Sequence, residues 1–367
     1  MRGSFGLDTG LPGKYHIETF AELRQSKVIN QVYREGRIIN AQEFPYDPEL
    51  TERKIIDLVQ TIHNRKIEEL SGVLELAEDL KQKPTAEAHT KVGIILRKHG
   101  FLEDAKEFLT RAMELDPKRS LSYLFLAKIE CQYRNFDQAL VLIRKAIELD
   151  PEHPDLHFTL AEIVIKQGKY REAIEPLREA LRLNPEYAEA HFQYGVAILK
   201  GYLVEDAVSE DKKQDCLTHL KHTQILDERF QIREFRQAIT SIENSRYQEA
   251  VDYIESFEKR FESIDVHELV TEFELFSRYG DTKTILTIDE HIERLTNELD
   301  GHPKYADLHN ALGKAYLVKM RTLFNAAIAE FKQALAINED YSEAKKNLEL
   351  VENEGRGFVL LLRAILK

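Results

Sequence analysis

Four histidines recur at matching places along the chain, and histidine is the side chain that most readily binds a metal ion or moves a proton near neutral pH. They are His89, His157, His191 and His309. Each stands at the same point of a repeated segment, where a bulky side chain is needed for packing. Successive members are at least one repeat apart, so they cannot converge on one ion. We therefore predict that these histidines pack between helices and form no metal site.

The other residue types that could do chemistry show no catalytic pattern. Cys131 and Cys216 are too few for a disulfide framework and have no paired metal-binding spacing, which favours a reducing compartment. The sequence contains no phosphate loop, no Gly-x-Ser-x-Gly elbow and no His-Glu-x-x-His motif. The carboxylates are dispersed at helix-surface spacing. We predict a protein that is not an enzyme and needs no cofactor.

Charge and hydropathy limit the partners and the location. The net charge is −13, and an acidic surface repels the phosphate backbone of nucleic acids. The opening residues lack the pattern of a secretion signal. The longest apolar run, 358–362, is far shorter than the roughly 20 residues that span a bilayer. We expect a cytoplasmic protein with no membrane span and no nucleic-acid partner.

A fixed period organises most of the chain. Three similar phrases begin at Ala105, Ala139 and Ala173, which are 34 residues apart, and a fourth begins at Ala327. A unit of this length cannot bury its own apolar face, so it must stack on its neighbours. The period therefore predicts a solenoid of helix pairs.

Residue types agree with that period at the places where helices cross or end. The first helix of each unit has a small residue where the neighbouring helix packs closest, the second has alanine where the two helices of the unit cross, and proline ends three of the units because it has no N–H to donate. These residues are Gly93, Ala127, Ala161, Gly195 and Gly313 on first helices, Ala105, Ala139, Ala173, Ala250 and Ala327 on second helices, and Pro117, Pro151 and Pro185 at the ends. The pattern resembles the tetratricopeptide repeat (TPR). The resemblance implies an all-α fold, a right-handed TPR superhelix (α-solenoid) of about six to seven helix pairs.

The repeat pattern is uneven and divides the chain. We expect a regular TPR array over 84–230, degenerate TPR-like helices over 231–303, and a C-terminal TPR with a closing helix over 304–353. The fourth unit carries roughly nine extra residues around 202–215, compared with the 34-residue period. The last unit should turn between its two helices near 321–324.

The two ends do not follow the repeat. Residues 1–47 form an extension in which two β-rich runs around Gly36 predict a hairpin. Asp47 and Pro48 look like the start of a long helix over 48–83. That helix either caps the first repeat or forms, with the hairpin, a docking or dimerisation module. Residues 354–367 form an apolar C-terminal helix, either a second cap or a segment that binds a membrane surface or a partner helix.

The TPR resemblance implies that a peptide or protein binds in the concave groove lined by the first helices. The groove positions of this chain combine apolar residues with a row of lysines, which suits an amphipathic helix with an acidic flank. The candidate residues are Thr90, Ile94, Lys98, Leu124, Lys128, Phe158, Ile165, Lys166, Phe192, Val196, Leu199 and Lys200. Alternatively, the apolar stripe only packs within the superhelix or binds the N-terminal segment of the same chain.

These observations favour a non-enzymatic TPR scaffold or adaptor that binds an apolar or amphipathic peptide segment of another protein. A second interpretation is a self-assembling structural protein, hence a homo-oligomer, whose terminal segments dock into the groove of a neighbour. A third is a regulatory subunit of an enzyme on another chain.

Overall fold

A computed structural model describes residues 6–11, 14–81, 85–203, 209–259, 265–279, 285–301 and 306–351. The chain divides into two units, residues 1–163 and 164–367, and helix α6 contains the boundary between them. Part of the predicted insertion at 202–215 and all of the predicted helix at 354–367 lie outside the described residues.

The first unit begins with an antiparallel sheet of four strands in sequence order: β1 (Gly6–Gly10), β2 (Tyr15–Glu22), β3 (Lys27–Arg34) and β4 (Arg37–Pro45). The predicted hairpin is β3–β4, and its turn places Glu35 and Gly36 at positive φ. The prediction missed β1 and β2. In β2 the buried face includes the polar Thr19, which obscures the alternation of apolar and polar residues.

Helix α1 (Glu52–Lys81) follows the sheet and starts four residues later than predicted. Asp47 does not cap it, because its Oδ1 accepts a hydrogen bond from the N–H of Glu49 (2.9 Å) and closes a local turn instead. The first half of α1 packs on the sheet, where Ile55 and Val59 join Ala21 and Val28 in one apolar cluster. Its second half is buried through Leu70, Val73, Leu74, Ala77 and Leu80, and α1 also contacts the helix that follows.

The repeats of the first unit fold as antiparallel helix pairs. The helices are α2 (Ala86–Lys98), α3 (Leu102–Leu115), α4 (Ser120–Gln132), α5 (Phe136–Leu149) and the start of α6 (Pro154–Lys166). A Cβ at Gly93 would lie 2.6 Å from Cγ of Leu109, so α2 and α3 cross closely only because residue 93 has no side chain. At Gly93 the small residue predicted from the repeat therefore does act as a crossing point.

The second unit continues the pairs. It contains α7 (Tyr170–Leu183), α8 (Ala188–Ile198), α9 (Glu210–Leu226), α10 (Arg233–Glu243), α11 (Tyr247–Glu258), α12 (Val266–Tyr279), α13 (Ile285–Gly301) and α14 (Ala306–Ile337). A π-helical turn, Leu199–Leu203, ends α8, and a short 3₁₀ turn, Glu228–Phe230, precedes α10. A further helix covers 342–351. The region over 231–303, expected to hold degenerate TPR-like helices, contains α10 to α13.

The predicted turn of the last repeat is wrong, because α14 runs through 321–324 without a break. In the regular repeats the turn is made by residues at positive φ, such as Gly100, Arg134 and Gly168. Residues 321–324, Arg-Thr-Leu-Phe, include neither glycine nor proline, so nothing in them interrupts a helix. The last repeat is therefore a single 32-residue helix.

Candidate functional site

The recurring histidine position has a structural role that is visible in three successive repeats. The side chain at this position donates to the carbonyl oxygen of the proline that ended the preceding repeat. The pairs are Tyr123 Oη to Pro117 (3.1 Å), His157 Nε2 to Pro151 (2.8 Å) and His191 Nε2 to Pro185 (3.0 Å). Each bond satisfies a carbonyl in the loop between repeats. The position therefore ties one repeat to the loop before it.

The other two histidines of the series are placed differently. His89 is buried, and its ring centre lies 5.5 Å from that of Phe108. Its Nδ1 lies 3.0 Å from the carbonyl oxygen of Thr85. His309 is exposed on α14. The structure does not bring His89 and His157 of the first unit together.

The candidate groove residues of the first unit are mostly buried. The exposed fractions of Thr90, Ile94 and Leu124 are at most 2%, and Phe158 is also buried. Thr90 Oγ1 lies 2.8 Å from Oγ of Ser122, a hydrogen bond between neighbouring inner helices α2 and α4. The expectation that these side chains face solvent is thus wrong, and they form part of the packed wall of the repeats.

The candidate groove residues of the second unit are buried for a specific reason. Phe192 on α8 lies in a cluster of phenylalanines, with ring centres 5.2, 5.9 and 5.6 Å from Phe230, Phe235 and Phe257. These three come from the 3₁₀ turn, α10 and α11, which pack over α8. Val196 and Leu199 are buried as well, whereas Ile165 is only half-buried. Later helices thus cover a face that the repeat alone would leave open.

The candidate lysines remain closer to solvent. Lys98 and Lys128 are half-buried, and Nζ of Lys128 lies 5.0 Å from the ring centre of Phe125. Lys166 is exposed. Lys200 contacts Glu255 at 3.2 Å and Glu258 at 3.8 Å. Lys98, Lys128 and Lys166 therefore keep more surface accessible than the buried apolar groove residues, whereas the side chain of Lys200 is only 13% exposed.

The N-terminal sheet docks on the first repeat of the same chain. The rings of Tyr15 and Phe101 are 4.6 Å apart, and the Tyr15 hydroxyl donates to Asp104. Asn40 Nδ2 donates to the carbonyl oxygen of His99 (3.1 Å). A Cβ at Gly100 would lie 3.0 Å from the carbonyl oxygen of Ile39, so β4 touches this turn directly. These contacts join the sheet to the first repeat within one chain.

A buried polar network fixes the sheet on α1. His63 on α1 lies 2.8 Å from Thr9 Oγ1 through Nε2 and 2.9 Å from Thr19 Oγ1 through Nδ1, and Asn30 Nδ2 donates to Thr19 Oγ1 (2.7 Å). Burial lowers the pKa of His63, so the ring is held neutral. The network satisfies the polar groups that the sheet buries against the helix.

One cluster on the sheet has the residue types of a metal site, which the sequence analysis did not find. Atoms of Asp8, His16 and Glu18 that could bind an ion all lie within 4.8 Å of one another. Asp8 and Glu18 are cross-strand partners in β1 and β2, and His16 stacks on Tyr33 with ring centres 4.5 Å apart. Tyr33 also donates to Glu18 Oε2 (2.9 Å). Because neither strand was predicted, nothing in the sequence analysis placed these residues side by side.

Comparisons with known proteins agree with the repeat architecture. Residues 132–191 match the family described as tetratricopeptide repeat, so this part of the chain carries tetratricopeptide repeats. Solved structures with a similar fold include MamA (20% identity, 41% of this chain and 84% of that one, TM-score 0.35) and the Pseudomonas aeruginosa protein pilF (19%, 61% and 95%, TM-score 0.39). YrrB, described as a TPR protein with an unusual peptide-binding site, also matches (16%, 64% and 96%, TM-score 0.34). A comparison with curated protein sequences gives no significant match. Among the described residues, no helix has the length and hydropathy needed to cross a membrane.

Proposed function

We propose that this chain is a non-enzymatic scaffold that binds a peptide segment of another protein along the inner helices of its repeats. The observation that carries the proposal is the regular stacking of helix pairs, with close crossings at Gly93 and Gly195. Repeats stacked in this way present the extended surfaces with which solenoid proteins bind partners. Fold alone does not establish function, so the residues on those helices must indicate the ligand.

The ligand contacts of this proposal come mainly from basic side chains. The apolar groove residues are packed into the wall, whereas Lys98 and Lys128 in the first unit keep part of their surface exposed. A lysine ammonium attracts carboxylates, and its methylene stem offers apolar contact. We therefore propose an amphipathic segment with acidic residues on one side as the partner. The earlier interpretations, docking of terminal segments into a neighbour's groove and regulation of an enzyme on another chain, stay predictions.

A peptide selection tests this proposal without a known partner. A displayed library of random helical peptides would be selected on the full chain, and the affinities of the recovered sequences would be measured. We expect sequences rich in Asp and Glu, and we expect Lys98→Glu combined with Lys128→Glu to weaken their binding at least about tenfold, because each reversal removes one charge contact.

The matched control changes the same charge on an outer helix. Arg144 and Lys145 on α5 are exposed, and Arg144→Glu with Lys145→Glu alters the net charge by the same amount. This control should bind the selected peptides nearly as well as the unchanged chain. Equal losses of peptide affinity in both double variants would mean that only overall charge matters, and the inner helices would not be the binding surface.

A further inference from the structure

Helix α14 contains the residues of a whole repeat, although it forms a single rod. Its first half has the small crossing residue, Gly313, and its second half has the residues that a crossing partner would supply, Ala327 and Phe331. In a folded repeat these two halves are separate antiparallel helices. In α14 the helix passes straight through the place where the turn would be.

The regular repeats show what these residues do when the two helices pair. A Cβ at Gly93 would lie 2.6 Å from Cγ of Leu109 and 3.2 Å from the carbonyl oxygen of Ala105. A Cβ at Gly195 would lie 2.6 Å from Cγ of Leu220. In both pairs, atoms of the second helix in the same chain occupy the space where a side chain on the glycine would lie. Ala327 and Phe331 are the residues of α14 that correspond to Ala105 and Leu109.

Within α14 the corresponding contacts cannot form. Residues 313 and 331 are 18 positions apart on one helix, which is about 27 Å at 1.5 Å per residue. A Cβ at Gly313 would meet nothing within 4 Å, and Ala327 is exposed. The equivalent alanines of the folded repeats, Ala105, Ala139, Ala173 and Ala250, are each 0% exposed.

The face left open on α14 is apolar and lies opposite a face that is already packed. Leu308, Ala311, Ala315 and Val318 join Phe273, Ile288 and Leu295 in the core formed with α12 and α13. On the side of Gly313, in contrast, Tyr316 is 52% exposed and Met320 is 40% exposed. The first half of α14 therefore packs on α12 and α13. Among the described residues, no second helix covers its opposite face.

We infer that a second copy of this chain supplies the partner, with two α14 helices pairing antiparallel about a two-fold axis near residue 322. In this arrangement Gly313 of each copy faces Phe331 of the other, so one symmetric contact completes two repeats. A surface that carries both halves of one interface is self-complementary, as a two-fold dimer requires. A foreign helix could fill the face beside Gly313, but it would leave the exposed Ala327 and the half-buried Phe331 of the same helix without their crossing partner among the described residues. This inference does not rest on the proposed peptide-binding function.

A pair of introduced cysteines tests the contact in the full chain. Gly313→Cys with Phe331→Cys should form disulfide-linked dimers under mild oxidation, because bonding requires Cα atoms within about 7 Å. Peptide mass spectrometry should assign the bond to residues 313 and 331. The native Cys131 and Cys216 are buried, so they do not compete. The control is Gly313→Cys with Gln333→Cys, because residue 333 lies two positions past Phe331, on nearly the opposite side of α14; it should give few dimers.

Each other outcome of the cysteine experiment overturns the inference. A 313–331 bond within a monomer would mean that α14 folds into a closed repeat in one chain. A folded protein without this bond would mean that something else covers the face, such as residues 354–367. Equal dimer yields in the test and control pairs would mean random collision.

Light scattering on a second variant provides an independent readout. The unchanged chain should have the mass of a dimer, and Gly313→Leu should have the mass of a monomer with unchanged helicity. In a single chain, a leucine at residue 313 meets no neighbour among the described residues. In the inferred dimer it would lie at a helix crossing and clash, as a Cβ at Gly93 would clash with Leu109. Gln333→Leu adds the same side chain on the other side of α14 and should remain dimeric. A monomeric unchanged chain, or a dimer that survives Gly313→Leu, contradicts the inferred contact.

Discussion

The Nδ1 atoms of His191 and His219 lie 2.8 Å apart in the interface between α8 and α9. His191 Nε2 donates to the carbonyl oxygen of Pro185, which can only accept, so the neutral His191 ring has its acceptor at Nδ1. His219 must then donate from Nδ1. The ring of His222 lies 4.6 Å from His191. The packing of this helix pair thus depends on neutral imidazoles.

Acid should destabilise the protein through this histidine pair. Burial lowers the pKa of His191 and of His219 to about 4, although Asp215 Oδ1 lies 3.6 Å from Nε2 of His219. The unfolded chain binds protons at its ordinary pKa of about 6.5, so it binds more protons than the folded chain between about pH 6.5 and 4. The stabilisation is complete above that window. It falls by about 1.4 kcal/mol per pH unit for each histidine as the pH decreases.

Denaturant unfolding between pH 7.5 and 4.5 measures this dependence. His219→Gln removes one titrating ring and should make the decrease in unfolding free energy with falling pH shallower by up to about 1.4 kcal/mol per pH unit. If the unchanged chain and His219→Gln lose stability in parallel, the pair is not the source of the acid sensitivity.

Replacing glycine by alanine at the same repeat position should change stability in opposite directions in a folded repeat and in the open repeat of α14. Gly93→Ala places a Cβ within 2.6 Å of Leu109 and should destabilise the first unit by about 1 to 3 kcal/mol. In dilute, monomeric protein, Gly313→Ala meets no close contact among the described residues and removes a glycine from a helix interior. It should leave stability unchanged or raise it by about 0.5 to 1 kcal/mol. Thermal unfolding of the two variants checks the signs.

This contrast would be contradicted if Gly93→Ala and Gly313→Ala both destabilised the protein. A loss at Gly313 as large as that at Gly93 would mean that residue 313 also faces a close neighbour. The inferred dimer is one source of such a neighbour, so the measurement should be made on dilute protein whose mass has been determined. A loss that persists in a monomer would then argue for a closed repeat.

The sequence analysis succeeded where local residue types determine the geometry. Glycine and alanine at the crossings, with proline at the ends, are read directly from the sequence, and the regular helix pairs followed from them. Strand β2 was missed because the polar Thr19, which contacts His63, lies on its buried face. Gly313 and Ala327 carry the repeat signature, but they do not form a crossing within α14, because the segment between them lacks the breaker that a turn needs. Local pattern therefore predicted the helices better than their connections.

The groove could not be predicted because its burial depends on distant parts of the chain. Position by position, Phe192 looked like a surface residue of an inner helix. Its cover comes from Phe230, Phe235 and Phe257, which follow it by 38 to 65 residues and belong to an irregular part of the repeat. No periodicity within one repeat contains that information. Only the half-exposed lysines kept the character that the sequence suggested.

The docking of the N-terminal sheet should contribute measurably to stability. Tyr15→Phe keeps the ring contact with Phe101 but removes the hydrogen bond to Asp104. Because Asp104 also lies 3.4 Å from Arg34, its carboxylate keeps a charged partner, and the loss should be about 1 kcal/mol. Tyr46→Phe is a control that removes a hydroxyl from a half-buried tyrosine near the end of the sheet. Equal unfolding free energies for all three proteins would show that the bond to Asp104 adds nothing.

Substitution of Phe192 separates a packed wall from a binding surface. Phe192→Ala removes a ring that touches three other phenylalanines and should reduce the unfolding free energy by about 3 to 5 kcal/mol. Phe192→Leu retains most of the apolar volume and should cost much less. Lys166→Ala, at an exposed candidate position of the same unit, should change stability by no more than about 0.5 kcal/mol. If Phe192→Ala unfolds like the unchanged chain, the ring is not held in the cluster and must be available to a ligand, as the sequence alone had suggested. A large loss for Phe192→Ala with no loss for Lys166→Ala would instead assign the apolar residues to the fold and leave the lysines for the partner.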